Sequence, residues 1–399
     1  MNSSNDLYPN TDQPSLFWRV FSHQQIFAAG AISRIFLFAF NRTEVNGLPR
    51  FLDLLRSRSD HETRQRGLLT VSNHVSVIDD PLIWGALPFS FTAVQGYMNH
   101  RWSLASHDIC FTNPFLAHFF TLGQTLPTHR QAHSQYGGIS QPTMTEAVRI
   151  LSRISATKSS WSPNLKTSCG PEARQSSYTH DCVDPFSEVV PAPSYSSYPH
   201  DSCRYLAPSR YACNSFSWIH IFPEGMIHQS PQLEMRYFKW GVARLILEPP
   251  ECPDVVPMFI EGTDQIMHES REFPRFLPRI GKTVSITFGQ AINTEATFGD
   301  LRERWRILEA HARPETIYAS LPTESVEASG VLSGSLINGE EAVELRKECT
   351  RRLRQEVLKV RRSRGHPDED PKAGLAETFI REGPKREGHM ADDTWVKDA

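Results

Sequence analysis

The sequence predicts an α/β protein, a mixed central sheet flanked by helices, and three observations carry that expectation. Four short runs rich in β-branched, aromatic and other apolar residues, at 68–72, 216–222, 254–260 and 283–288, read as strands. Segments with a helical apolar stripe, at 143–154 and 238–247, are interleaved with them, and strands alternating with helices imply an α/β sheet. The chain of 399 residues, 39% hydrophobic, is long enough for one large or two medium domains around a packed core.

Along the chain, residues 1–15 are polar and read as a disordered N-terminus. Residues 16–45 read as a membrane-associating segment. Its most apolar part, IFAAGAISRIFLFAF at 26–40, is 15 residues long and carries Arg34, short of the roughly 20 apolar residues of a membrane span. It fits a helix lying in the bilayer interface, with a buried core helix as the alternative, and Phe17 and Trp18 upstream suit headgroup depth. The catalytic body, 46–310, contains the strand at 68–72 that delivers Asn73 and His74 into a loop, and Pro81 suits the first turn of a helix running to about residue 87.

At 155–214 Ser, Pro and Tyr crowd the chain without a sustained period, which predicts a disordered insertion. Order resumes at 216–222, and Pro249 and Pro250 end the helix at 238–247. Residues 311–338 read as a loop. Within 339–364, Leu345, Cys349, Leu353, Val357 and Val360 recur at steps of four and three, giving an amphipathic helix with a basic remainder. Such a helix either packs on the domain or meets anionic lipid. The tail at 365–399 is charged, poor in apolar residues and expected to be disordered.

A net charge of -3 argues against a general nucleic-acid binder, so no nucleic-acid partner is expected. Seven cysteines, odd in number, widely spaced and without a C-x-x-C pair, read as mostly reduced thiols. The first eighteen residues hold Asp6 and Asp12 and no Lys or Arg, so neither a secretory n-region nor a cleavable Arg-rich presequence is expected. No G-x-S-x-G, G-x-x-x-x-G-K-[ST] or H-E-x-x-H motif supports a serine hydrolase, an NTPase or a zincin.

The chemistry concentrates in NHVSVIDDP at 73–81. An imidazole is a natural general base near neutral pH once a carboxylate fixes its tautomer and stabilises the imidazolium that forms. His74 and Asp79, five positions apart across a strand-to-helix turn, are within reach of one another. Asp80 competes as the partner, or caps the helix begun by Pro81. A second signal, GQTLPTHR at 123–130, ends on Arg130, which is able to pair bidentately with a lipid phosphate. A third is Phe222-Pro223-Glu224-Gly225, where Gly225 permits close backbone approach. Glu224 would repel phosphate, so it either orders the loop, through Arg130 for instance, or accepts from a glycerol hydroxyl. A fourth, VPMFI at 256–260, is apolar enough to line an acyl chain, and a buried strand would look the same. No metal site is expected, because His74, Asp79, His220 and His228 lack the ligand spacing of one.

In this order, N-H-x-x-x-x-D, a block opening on Gly and closing on a basic residue, F-P-E-G and V-P-x-x-I, the four pieces resemble the glycerolipid acyltransferase superfamily. Within it, NHVSVIDDP, FFTLGQTLPTHR and WIHIFPEG are similar to the tafazzins of fungal type, with AVELRKECTRRLRQEV similar to the family's last helix. The insertion before Phe216, the loop at 311–338 and the tail depart from the pattern, and Gln124 stands where a basic residue is common.

The resemblance implies a phospholipid-lysophospholipid transacylase that remodels cardiolipin without a cofactor. It implies His74 and Asp79 as catalytic residues, with Asn73, Arg130, Phe222, Pro223, Glu224 and Gly225 around the substrate. The implied partners are phospholipid and lysophospholipid substrates, a membrane surface and membrane-associated complexes. The implied place is the mitochondrial membranes facing the intermembrane space. An amide near Gly225, or another loop amide, is the expected donor to the tetrahedral oxyanion. Two other readings stay open. One is an acyl-CoA-dependent acyltransferase acting on glycerol phosphate or lysophosphatidate with the same His and Asp. The other is a non-catalytic membrane-binding protein.

Overall fold

The computed structural model describes residues 14–60, 63–94, 96–131, 133–152, 211, 213–312, 330, 332–380, 388–390 and 392–397. Their strands are β1 (Arg42–Asn46), β2 (Leu68–Val71), β3 (Arg101–Ser106), β4 (Thr125–Thr128), β5 (Trp218–Ile221), β6 (Ile227–Gln229), β7 (Asp254–Glu261), β8 (Thr283–Phe288), β9 (Gly388–His389) and β10 (Trp395–Lys397). Seven form one sheet in the order β1-β8-β7-β2-β5-β3-β4, and β6-β10-β9 form a small antiparallel one. Within the large sheet only β7 and β8 run antiparallel. The helices used below are α1 (Leu16–Phe40), α2 (Leu48–Ser57), α3 (Asp79–Gly85), α4 (Phe89–Val94), α5 (Pro114–Leu122), α6 (Pro142–Leu151), α7 (Gly241–Leu247), α8 (Thr294–Ala312) and α9 (Glu340–Ser363).

Every residue of β2 and β5 is buried, as central parallel strands covered on both faces require. The period of two sorts the side chains. Leu69, Val71, Ile219, Val255 and Phe259 share one core with α6, α7, α8 and α9. Leu68, Trp218, Val256, Met258 and Ile260 share the other with α1, α2 and α3. The run at 256–260 is therefore a buried strand rather than an acyl-chain lining.

Several boundaries differ from expectation. The segment at 16–45 is not separate from the body, because β1 pairs in parallel with β8 from Arg42↔Thr283 to Asn46↔Thr287. Ser15 caps helix α1, its hydroxyl accepting from Trp18 N at 3.2 Å, so residue 15 belongs to a cap rather than to a frayed end. The inner side of α1 lies along α3. Arg34 there is no lipid contact, since Nη1 clamps the carbonyls of Gly85, Ala86 and Leu87 at 3.1–3.2 Å. Trp18 packs half-buried against the core, edge-on to Tyr97. The outer side exposes Phe17, Phe21, Ile32, Ile35, Phe38 and Phe40. No helix among the described residues is long and apolar enough to cross a membrane.

The expected insertion falls mostly outside the described residues, but Tyr211 and Asn214 near its end pack into the fold. Tyr211 is buried beside Trp102, and Asn214 Oδ1 accepts from Trp102 Nε1 at 3.0 Å. Much of the expected loop at 311–338 likewise lies outside them, but residues 311–312 end α8 and Gly334–Asn338 is helical.

Helix α9 packs on the domain through its apolar stripe and turns three of its basic residues, Arg346, Arg354 and Arg361, inward, while Lys347, Arg351, Lys359 and Arg362 stay exposed. Arg346 donates to Leu336 O and Ile337 O, Arg354 to Met235 O and Arg236 O, and Arg361 to Gln232 O and Leu233 O. These guanidiniums satisfy carbonyls that burial would otherwise leave without donors. The tail is not disordered throughout. Glu369 accepts from Met235 N at 2.7 Å and from Arg354, Ala376–Ile380 is helical, and β10 pairs with β6.

Candidate active site

Strand β2 ends at the sheet edge where β5 and β7, its parallel neighbours, also end. Ligands of open α/β sheets gather at the carboxyl ends of strands. Asn73 fixes the departure of the chain there. Its Nδ2 donates to Ile260 O at 2.9 Å and its Oδ1 accepts from Ile260 N at 2.8 Å, so the carboxamide staples β2 to β7. At 1% exposure, Asn73 supports the loop from within the protein.

The next residue meets its expected partner. His74 Nδ1 lies 2.9 Å from Asp79 Oδ2. Asp79 is fully buried at the start of α3, where the positive end of a helix favours a carboxylate. The same Oδ2 accepts from Val75 N at 2.7 Å and Ser76 N at 2.8 Å, and Oδ1 accepts from Thr263 Oγ1 at 2.6 Å. Three donors thus fix the carboxylate before the imidazole uses it. With Nδ1 held, Nε2 is the nitrogen offered to a substrate. The ring stacks on Phe222 with centroids 4.4 Å apart, and the side chain is 14% exposed.

Asp80 is not the partner. It accepts from Arg101 at 2.6 Å and from Trp84 Nε1 at 3.2 Å. Nor does it cap a helix begun at Pro81, because α3 already includes Asp79 and its N-cap is Ile78.

Glu224 does not reach Arg130 and is 2% exposed. Its Oε1 accepts from His74 N and its Oε2 from Arg236 N, both at 2.8 Å. The F-P-E-G carboxylate therefore orders its loop by holding the backbone of the imidazole-bearing residue. His74 O accepts from His228 N at 2.9 Å, so both main-chain groups of residue 74 are tied down. Pro223 is buried, with its carbonyl accepting from Lys239 N at 2.8 Å. Gly225 adopts φ +66, where a Cβ would meet the Lys239 side chain at 2.7 Å, so glycine is needed there. Its own N–H donates to Phe222 O at 3.1 Å, which leaves the expected oxyanion donor to another amide of the loop.

Arg130 stands at the end of β4, three strand spacings from β2, or about 14 Å across the sheet. Its Nε donates to Asp108 Oδ1 at 3.1 Å and a second nitrogen to Oδ2, so a phosphate there would compete with Asp108. Gln124 is buried and donates to Tyr97 O at 2.8 Å, which places it in the scaffold. His220 and His228 are buried in protein contacts. Thr70 Oγ1 is 2.9 Å from His220 Nδ1, and Glu234 O is 2.9 Å from His228 Nδ1.

Two residues beyond the expected roles give tests. Thr263, unmarked by any motif, lies 184 positions from Asp79 in sequence. Thr263→Val keeps its shape and removes one hydrogen bond to a charged group. It is expected to lower kcat about tenfold with KM for lysophospholipid unchanged. Unchanged kcat in initial-rate assays would show that Asp79 needs no such support.

Burial raises the Glu224 carboxyl from its ordinary 4.5 to about 8, against the pull of its two backbone donors and Arg354 and with help from Glu369. The folded state thus binds this proton more tightly than the unfolded chain. The stability it brings is complete below pH 4.5 and is lost as pH rises through 8. Glu224→Gln, which does not titrate, is expected to start at a lower Tm and to show a flatter decline between pH 5 and 8. Parallel Tm profiles for parent and variant would contradict that.

Comparison with known proteins agrees with this geometry. Residues 55–158 match the acyltransferase family. The tafazzin of Saccharomyces cerevisiae is 33% identical over 367 residues, covering 90% of this chain and 82% of that protein. The tafazzin of Drosophila melanogaster is 28% identical over 75% of this chain and 58% of its own length. The N-acylphosphatidylethanolamine synthase of Arabidopsis thaliana is 26% identical over 67% of this chain and 69% of its own. Identity carried along nine-tenths of the chain, on a scaffold that brings N-H-x-x-x-x-D and F-P-E-G to one edge of the sheet, makes this chain a member of the tafazzin family.

Proposed function

We propose that His74 is the general base, and then the general acid, of acyl exchange between a phospholipid and a lysophospholipid. Membership in the tafazzin family makes the chain a phospholipid transacylase acting in cardiolipin remodelling. His74 Nε2 takes the proton of the free glycerol hydroxyl on the lysophospholipid, and that oxygen attacks the ester carbonyl of the donor. The tetrahedral intermediate collapses by breaking the donor's ester bond, and the imidazolium returns the proton to the departing glycerol oxygen. Asp79 holds the Nδ1–H tautomer and stabilises the transient cation. One oxygen ester is exchanged for another, so the overall energy is nearly unchanged and catalysis consists in lowering the barrier.

The observation that carries this reading is the His74 Nδ1–Asp79 Oδ2 bond at the carboxyl edge of the sheet, on a loop fixed by Glu224, Asn73 and Thr263. The outer face of α1, with Phe17, Phe21, Ile32, Ile35 and Phe38 exposed, supports peripheral binding in the plane of a bilayer interface. The family resemblance supports placement on mitochondrial membranes facing the intermembrane space.

The deciding experiment incubates purified protein with labelled lysophospholipid and donor phospholipid in the strict absence of CoA. Label is expected in phospholipid, with stoichiometric loss of acyl chain from the donor. Transfer that appears only on addition of acyl-CoA would replace this reading by the acyl-CoA-dependent one.

A further inference from the structure

The connection from β7 to β8 contains REFPRFLPRIGK at 271–282, which the reaction does not use. Phe273 is 89% exposed, Phe276 77%, Leu277 57% and Ile280 61%. Single exposed apolar residues are ordinary, but four within eight positions form a patch. The surrounding backbone is held in place. Arg271, itself buried, donates to Arg275 O at 2.5 Å and His268 O at 2.7 Å. Arg275 donates to Glu269 O at 2.8 Å, and Arg279 N donates to Ile266 O at 3.1 Å. The apolar side chains are thus presented outward from a pinned turn.

Cations border this patch. Arg275, Arg279 and Arg42 are exposed and Lys282 is half-buried, against the single exposed carboxylate of Glu272 within 271–282. The turn also abuts α1. Gly281 N donates to Phe40 O at 2.8 Å and Lys282 N to Asn41 Oδ1 at 3.0 Å. The exposed Phe38 and Phe40 therefore continue the surface of Ile280.

Topology places this surface beside the chemistry. Strand β7 is parallel to β2 and ends at the same edge, and β8, antiparallel to β7, departs from it. The connection between them lies on the sheet edge that carries His74.

We propose that residues 272–282 form a wedge that inserts into an anionic bilayer surface, seating Phe273, Phe276, Leu277 and Ile280 among acyl chains while Arg275, Arg279, Arg42 and Lys282 meet lipid phosphates. The proposal rests on the interfacial reading of α1 and extends it. The wedge and the N-terminal part of α1, which carries Phe17 and Phe21, are two anchor points of one surface that hold the His74 edge against the layer that contains its substrates. Apolar insertion combined with clustered cations is what selective binding to anionic membranes requires.

The test uses the full chain with vesicles of phosphatidylcholine alone and of phosphatidylcholine with phosphatidylglycerol. The wedge variant Phe273→Ser/Phe276→Ser/Leu277→Ser is expected to bind the anionic vesicles at least about tenfold more weakly in cosedimentation. Its Tm and its exchange rate on short-chain lipids dispersed below their critical micelle concentration are expected to match the parent, because these side chains already face solvent. The charge variant Arg279→Gln/Lys282→Gln, which spares the Arg275 contact that pins the turn, is expected to lose most of the preference for anionic over neutral vesicles, about fivefold per cation. Parental affinity of the wedge variant for anionic vesicles overturns the proposal, as does an equal loss of exchange on dispersed lipids. A companion variant, Phe17→Ser/Phe21→Ser, separates the two anchors. Weaker binding by the wedge variant alone leaves the wedge standing and removes α1, and weaker binding by the α1 variant alone does the reverse. A parent that binds neither vesicle removes both.

Discussion

Alanine at position 74 is expected to lower CoA-free acyl exchange by about 10³-fold or more, the upper part of the range for removal of a general acid-base group. No neighbour is placed to substitute. Glu224 is occupied by two backbone donors and Asp80 by Arg101 and Trp84. His220 is fully buried, and desolvation together with Arg101 and His74 holds it well below its ordinary pKa, so it stays neutral in the core. The variant is expected to fold, because the contacts that position residue 74 in the loop use its main chain. Glu224 still accepts from its N–H, and its carbonyl still accepts from His228 N. The lost ring contact with Phe222 is expected to cost about 1 kcal/mol. Cosedimentation with vesicles should be unchanged, since His74 is not part of either apolar surface. Exchange within tenfold of the parent, measured with labelled lysophospholipid, would remove the imidazole from the mechanism.

What the sequence reveals of this site follows from how local each interaction is. The His74–Asp79 pair is legible because both partners sit on one turn and bond to each other through side chains. Glu224 is legible as a residue that orders its loop but not in its partners, because these are the N–H groups of His74 and Arg236, which any residue would supply. Thr263 carries no local signal at all, since only the parallel pairing of β7 with β2 brings it to Asp79. The same logic separates the elements. Strands β2, β5, β7 and β8 announce themselves as runs of buried apolar residues. In contrast, β3 (RWSLAS) and β4 (TLPT) are polar or proline-broken and become strands by pairing with each other and with β5. Helix α8 hides a core-facing stripe of Phe298, Leu301 and Trp305 in a segment that is otherwise charged. The tail reads as disordered by composition, yet Glu369 and the three residues of β10 find partners that only the completed fold provides.

Asparagine at position 79 is expected to reduce kcat by a factor of about 10² to 10⁴ while leaving the loop intact, and it separates charge from scaffold. Three of the four hydrogen bonds to Asp79 converge on Oδ2, from His74 Nδ1, Val75 N and Ser76 N. A carboxamide places its oxygen there, because the flipped orientation would set an NH2 group against two backbone N–H donors. The NH2 group then faces Thr263 Oγ1, and a hydroxyl is able to turn from donor to acceptor. The geometry of the turn is thereby conserved, and what disappears is the negative charge beside an imidazole that must become an imidazolium in the transition state. Asp79→Ala removes the acceptor as well. It leaves Val75 N and Ser76 N buried without a partner, at a cost of about 1–3 kcal/mol each, so its Tm is expected to fall where that of Asp79→Asn does not. Initial rates and thermal unfolding of the two variants side by side check this. Were Asp79→Asn to keep near-parental kcat, the carboxylate would be a structural acceptor only, and the proton would have to move without an ion beside the ring.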